Sequence, residues 1–162
     1  MFKDDLLKDK RILVTGGGTG LIGMWKAFNE LKILGKVSGK LPRMVAAQST
    51  GCAPVVKAFQ RRENKTEFWE NSQTVALGLN VPGPIGGYWI LRILYESNGI
   101  AVDVPESDLQ NLTDEFNSIT RINAGPEAGV VWGAFQKLRN VGWIDNSQSV
   151  VLFATGIERC KL

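Results

Sequence analysis

The sequence predicts an α/β fold: a mostly parallel twisted sheet with helices on both faces, in a Rossmann-like three-layer arrangement. Three observations lead there. Short apolar runs of strand length alternate with segments whose apolar residues recur every three or four positions. The first such run ends in a cluster of glycines that opens the first helical segment. The 162 residues, 44 % hydrophobic and 22 % charged, suit one globular domain with a sizeable core. Residues 1–10 read as a charged, unperiodic lead-in, and residues 11–162 as a single α/β domain without internal repeat.

The elements follow in order. Arg11-Ile12-Leu13-Val14-Thr15 is a short apolar run ending in glycines, the pattern of a buried parallel strand. From Leu21, apolar residues at 21, 24, 25, 28, 31 and 34 lie on one helix face, and Gly35 is a natural stop. Met44-Val45-Ala46-Ala47 reads as a second strand. The turn Ser49-Thr50-Gly51 then leads to Pro54, placed for a first helical position. Residues 60–71 read as an exposed polar loop carrying Trp69, and residues 72–87 as a Pro/Gly-rich stretch with a possible short helix. Residues 88–97 look like a buried helix stopped by Asn98-Gly99, followed by a strand over Ile100 to Val104. Ser107 and Gln110 have the spacing of a capping box, with Leu109, Leu112, Phe116 and Ile119 on one face behind it. A short extended piece near Arg121-Ile122 precedes a helix opened by Pro126, with apolar positions 128, 131, 132, 135 and 138. Ser149 to Ala154 is the last strand.

Composition excludes several chemistries. The chain has no histidine, so Ser-His-Asp and Cys-His catalysis and imidazole zinc sites are out. Two cysteines, Cys52 and Cys160, cannot form a Cys₄ site or a disulfide framework; a reducing, cytoplasmic setting is the default. The net charge of +3 is too small to argue for nucleic acid. No apolar stretch is long enough for a membrane span, since Tyr88 to Leu94 is short and contains Arg92. The acids at Asp4 and Asp5 do not suit a signal peptide.

The sharpest local signal is Thr15-Gly16-Gly17-Gly18-Thr19-Gly20-Leu21-Ile22-Gly23, between a strand and a helix. Glycines allow positive φ and close approach of a ligand. Successive amides at a helix start form an anion site, and a phosphate is the expected guest. The plain alternative is a tight turn with no ligand. Gly18-x-Gly20-x-x-Gly23 also satisfies the dinucleotide fingerprint. That fingerprint wants an acid at the end of the second strand, where Gln48 stands instead, with no Asp or Glu between Glu30 and Glu63. An NADP reading would have to use Arg43. Residues 1–20 look like the start of a short-chain dehydrogenase, yet the Tyr-x-x-x-Lys pair of that family is absent: Tyr88 is followed by Arg92 and Tyr95 by Gly99.

From the glycines onward a series of motifs occurs in order. It runs from Gly16-Gly17-Gly18-Thr19-Gly20 through Ala27-Phe28, then Pro42 to Gln48, and Gly51-Cys52-Ala53-Pro54. It continues with Trp69-Glu70-Asn71, Thr74 to Leu79, Ile90-Leu91-Arg92 and Pro126-Glu127. It ends with Gly142-Trp143-Ile144-Asp145, Val150 to Phe153 and Thr155-Gly156. Over residues 16–157 this series resembles the carboxy-terminal portion of threonine synthase, among the pyridoxal-phosphate enzymes of the tryptophan-synthase-β fold type. The resemblance implies pyridoxal phosphate as cofactor. It implies that Gly16, Gly17, Gly18, Thr19 and Gly20 cradle its phosphate and that Thr155 faces the pyridine nitrogen. It also implies the family reaction, in which O-phosphohomoserine and water give threonine and phosphate.

The family's Schiff-base lysine lies upstream in a Ser-Phe-Lys type motif, and Phe2-Lys3 lacks that context. The chain is therefore expected to keep the phosphate loop and to be inactive alone, its partner being a homodimer mate or the missing amino-terminal portion. Two rivals stand beside this reading: an NAD(P)-binding oxidoreductase led by residues 1–23, and a non-catalytic α/β fragment. Among other residues, Trp25, Trp89 and Trp132 are expected in the core. Cys52 reads as a buried structural thiol and Lys26 as solvated. Glu70 and Glu127 are acid/base candidates that nothing in the spacing pairs.

Overall fold

The computed structural model describes residues 10–15 and 18–157. Four strands, β1 (Lys10–Thr15), β2 (Arg43–Ser49), β3 (Ile100–Val104) and β4 (Ser149–Phe153), form one sheet in the order β3-β2-β1-β4. Every adjacent pair is parallel, with Arg11 opposite Arg43, Val45 opposite Ile100 and Leu13 opposite Leu152. Among the described residues, the sheet is covered by the α-helices α1 (Thr19–Ile33), α2 (Pro54–Gln60), α3 (Gly87–Glu96) and α5 (Pro126–Asn140), with α4 (Leu109–Thr120) packed mainly on α5. The predicted α/β class is the observed one.

Strand β2 shows how the layers form. Successive side chains leave a strand on opposite faces. Met44 and Ala46 enter a core with Leu21, Val55, Val56, Ile90, Leu91 and Leu94, from α1, α2 and α3. Val45 and Ala47 enter the other core, with Leu109, Val130, Val131, Ala134 and Leu138 from α4 and α5. An all-apolar run with a buried residue on both faces is what a central parallel strand requires.

Several local expectations need correction. Helix α4 is not opened by a capping box: Pro105 leads into a 3₁₀ turn at Glu106–Asp108, and Asp108 is the N-cap without a side-chain cap bond. Ser107 donates instead to Asp108. The piece near Arg121-Ile122 does not begin extended, although Ala124 just beyond it forms an isolated bridge with Ile157. Arg121 adopts φ 58° and ends α4, so the chain turns there rather than running on. Trp89 is not core. It is half exposed on α3, because Ile90, Leu91, Ile93 and Leu94 fill the buried face and leave positions 88, 89 and 92 outside. Trp25 and Trp132 are partly buried against their cores, and Trp69 packs against the first core as a loop anchor. The last turn of α1 exposes Ile33 and Leu34, and α4 exposes Ile119, so the apolar stripes run past the packed surface.

Candidate functional site

In an open parallel sheet, ligands bind beyond the carboxyl ends of the strands, where neighbouring connections leave in opposite directions. Here that point lies between β1 and β4: the chain moves from β1 to β2 to β3 on one side and returns to β4 on the other. A crevice of about 1200 Å³ opens there. Gly18, Thr19 and Gly20 form its β1 side and Phe153, Thr155, Gly156 and Ile157 its β4 side. The wall between is built by residues 75–86 and by Pro126 and Glu127 at the start of α5.

Four of the six residues singled out in the sequence thus meet at one crevice: Gly18, Thr19, Gly20 and Thr155. Gly16 and Gly17 lie outside the described residues. Gly18 is the N-cap of α1 at φ 80°, a left-handed conformation that favours glycine. It makes no side-chain cap bond, and the first turn of α1 holds no acid. A fifteen-residue helix therefore points an N-terminus without a carboxylate at the crevice. The chemistry of that donor set, backbone amides with a helix dipole behind them, fits the phosphate of pyridoxal phosphate.

The dinucleotide reading finds no support at Gln48 or at Arg43. Gln48 is buried, and its Oε1 accepts the N–H groups of Val55 and Val56 at 2.9 and 3.1 Å. It caps α2 and has no oxygen to spare for a ribose. Arg43 begins β2, so it stands about 20 Å of strand away from the crevice end. There it lies 3.5 Å over the Trp143 ring and donates to the Asn98 carbonyl at 2.8 Å. Burial, and then the Arg11 charge beside it, lower its pKa.

Two carboxylates hold the crevice wall: Glu106, which the sequence did not single out, and Glu127, one of its two acid/base candidates. Glu106, just past β3, accepts the Ser49 hydroxyl on Oε2 and the Val75 N–H on Oε1 at 2.6 Å. Its own N–H donates to Thr50 Oγ1 at 2.9 Å. Glu127 accepts the Gly78 N–H on Oε1 at 2.9 Å. The only signal for Glu106 was its position after a strand, at the carboxyl edge where sites form. Glu70 is exposed on a loop and does not line the crevice. Lys26 pairs with Glu30 on the outer side of α1. Residues 31–62 carry seven basic residues and no acid; of these, Lys57 and Arg61 pair with Glu67 and hold its carboxyl below the usual range. Cys52 is fully buried and burial pushes its thiol up, as a structural cysteine requires. Among the described residues, no group of acids and cysteines could hold a metal ion. Among them too, no helix is long and apolar enough to cross a membrane.

Known proteins resemble this chain in sequence and in fold. Threonine synthase of Methanosarcina acetivorans is 28 % identical over 153 residues, covering 94 % of this chain and 38 % of that protein. Threonine synthase of Methanocaldococcus jannaschii is 26 % identical, covering 91 % and 36 %. Cysteate synthase of Methanospirillum hungatei is 27 % identical, covering 93 % and 38 %. The chain thus spans well under half the length of these relatives. Among solved structures, a fungal L-serine ammonia-lyase from Rhizomucor miehei superposes with a TM-score of 0.72 at 17 % identity, over 93 % of this chain and 45 % of that one. Threonine synthase from Escherichia coli does so with a TM-score of 0.64 at 16 % identity, over 94 % and 33 %. The profile of the pyridoxal-phosphate dependent enzymes matches residues 6–156, so that β1 falls inside the match together with the glycine turn, and the chain belongs to that family.

Proposed function

We propose that this chain forms the phosphate-holding side of a pyridoxal-phosphate site in a threonine-synthase-like lyase. The observation that carries the reading is the bare N-terminus of α1 opening onto the switch-point crevice, with Thr155, two residues past β4, on the opposite side. In this reading the amides from Gly16 to Gly20 take the cofactor's phosphate and the Thr155 hydroxyl faces its pyridine nitrogen. A neutral hydroxyl there suits a ring not held as a full pyridinium. When bound, pyridoxal phosphate supplies an electron sink for the amino-acid carbanion. The protein's share is to grip the phosphate, fix the ring's orientation and keep water off its apolar side, where Leu77, Leu79, Val81 and Phe153 line the crevice.

The proposed family reaction converts O-phosphohomoserine and water into threonine and phosphate. No lysine lines the crevice among the described residues, so the cofactor-anchoring lysine is assigned to a further portion of such an enzyme, and the chain alone is inactive. The β4 edge leaves Val151 and Phe153 close to half exposed, which is surface that a further portion or a second copy would cover.

A thermal melt with pyridoxal phosphate, NADPH and inorganic phosphate tests the binding reading, because a ligand of the folded state raises its stability. At a hundredfold excess over Kd, pyridoxal phosphate gives about 2.7 kcal/mol, a rise on the order of 5–10 °C. A larger shift with NADPH would mean that the opening segment sets the ligand. No shift with any of the three would leave the glycines as a turn.

A further inference from the structure

Three stretches of backbone far apart in sequence close on one carboxylate in the crevice wall. Glu127 is the second residue of α5, behind Pro126 and the extended N-cap Gly125. Its Oε1 accepts the Gly78 N–H at 2.9 Å, from the 3₁₀ turn at Leu77–Leu79. Its other oxygen faces the backbone of two more glycines. A Cβ built on Gly125 would fall 2.8 Å from Oε2, and one on Gly156 would fall 2.6 Å from it. A Cβ on Gly78 would lie 2.9 Å from Oε1. All three segments approach the carboxylate closely through a residue that has no side chain to hold them off.

The contact joins opposite sides of the crevice. The Leu77–Leu79 turn is part of one wall, and Gly156 follows Thr155 on the β4 side. Gly125 and Gly156 are also linked by backbone, with Gly125 N–H to Gly156 O at 3.4 Å and an Ala124–Ile157 bridge alongside. The side chain of Glu127 extends that link to the turn. A carboxylate suits this place: it accepts backbone N–H bonds without needing a donor in return, and its charge is favourable at the positive end of α5.

We propose that Glu127 is a positioning residue that sets the spacing between the Leu77–Leu79 wall and the segment carrying Thr155, and so fixes how a cofactor ring sits between them. This rests on the reading that the crevice takes pyridoxal phosphate. It assigns Glu127 no contact with the cofactor and no part in gripping the phosphate, which belongs to the α1 end.

The test uses the chain itself, E127A and E127Q. Each is titrated with pyridoxal phosphate and with inorganic phosphate, and the circular dichroism of the bound cofactor's visible band is recorded. E127A is expected to bind inorganic phosphate within about twofold of the parent. It should bind pyridoxal phosphate about tenfold more weakly, the scale of one lost hydrogen bond to a charged acceptor, and lose most of the visible dichroism. E127Q keeps an acceptor for Gly78 and is expected to recover binding to within about threefold. Equal weakening for both ligands, or parental affinity and dichroism in E127A, overturns the proposal. If E127A does not fold, Gly78→Ala presses a methyl group on the same carboxylate and should give the same selective loss. If the parent binds no pyridoxal phosphate, the cofactor reading fails by itself. Amide exchange in the ligand-free chain then decides: faster exchange at both Gly78 and Gly125, whose N–H donates to the Gly156 carbonyl, in E127A, restored in E127Q, supports the positioning role, and unchanged exchange overturns it.

Discussion

The first two strand-to-helix junctions of this chain solve the same problem in opposite ways. Both leave a parallel strand at its carboxyl end and start a helix whose first N–H groups have no partner inside the helix. At β2→α2 the protein satisfies them itself. Gln48, the penultimate residue of the strand, reaches back to the amides of Val55 and Val56, and Pro54 fills a position that needs no donor. Everything from Cys52 to Val56 is buried. At β1→α1 no such side-chain cap is made among the described residues. Glycines replace the capping side chain, the first turn has no acid, and the crevice lies in front of it. The difference teaches which helix start is structural and which is open to a ligand: the glycine-rich one is short of acceptors.

The sharpest way to break the comparison is to uncap the satisfied junction. Gln48→Ala strands two buried amides, and at about 1–3 kcal/mol each the loss is about 2–6 kcal/mol. Thermal denaturation should show a fall on the order of 5–20 °C, with little change in pyridoxal-phosphate affinity once the protein is folded. Gly18→Ala acts on the other junction. A side chain in the left-handed conformation costs about 1–2 kcal/mol, so the melt should fall by a few degrees. Unlike the Gln48 change, it should also weaken phosphate-ligand binding, which calorimetry would read.

Thr19→Asp turns the open junction into something closer to the capped one. A carboxylate in the first turn should stabilise the ligand-free chain by about 0.3–1 kcal/mol through the helix dipole. The same charge should cut the affinity for pyridoxal phosphate at least about tenfold, because it repels the phosphate from the donors it would use. More stable and worse at binding is the combination to look for.

The smallest effect concerns Cys52 in the capped junction. Burial raises its pKa above the unfolded value of about 8.5, so the folded state holds the proton more tightly. Its contribution is present in full below that pH and is lost as pH rises toward the folded pKa, by at most about 1.4 kcal/mol per unit. Chemical denaturation of the chain and of Cys52→Ala between pH 8 and pH 10 should show the gap between them shifting against the parent. A constant gap would mean the thiol ionises alike in both states.

Much of this was legible in the sequence, for physical reasons. Apolar runs of strand length and helical periods place all four strands and the long helices, because burial on two faces leaves no other pattern for residues 44–47. The motif series singled out Gly18, Thr19, Gly20 and Thr155, which the fold brings to one crevice. What stayed hidden depends on contacts distant in sequence. Gln48 stood where a ribose acid was sought, and only the fold shows its oxygen spent on α2. Glu106 and Glu127 bond to amides 31 and 49 residues away, which no local spacing reveals. Ser107 and Gln110 had the right spacing for a capping box, yet Pro105 and the 3₁₀ turn put the helix start at Asp108.

The central claim is that the amides at the start of α1 hold a phosphate-bearing cofactor while those of α2 are already occupied. Amide chemical shifts followed by NMR during a pyridoxal-phosphate titration test it directly. Gly18, Thr19 and Gly20 should shift and saturate together and be reversed by competing inorganic phosphate, while Val55 and Val56 stay still. Unmoved Gly18–Gly20 amides at saturating cofactor, or equal shifts at both junctions, would contradict the account.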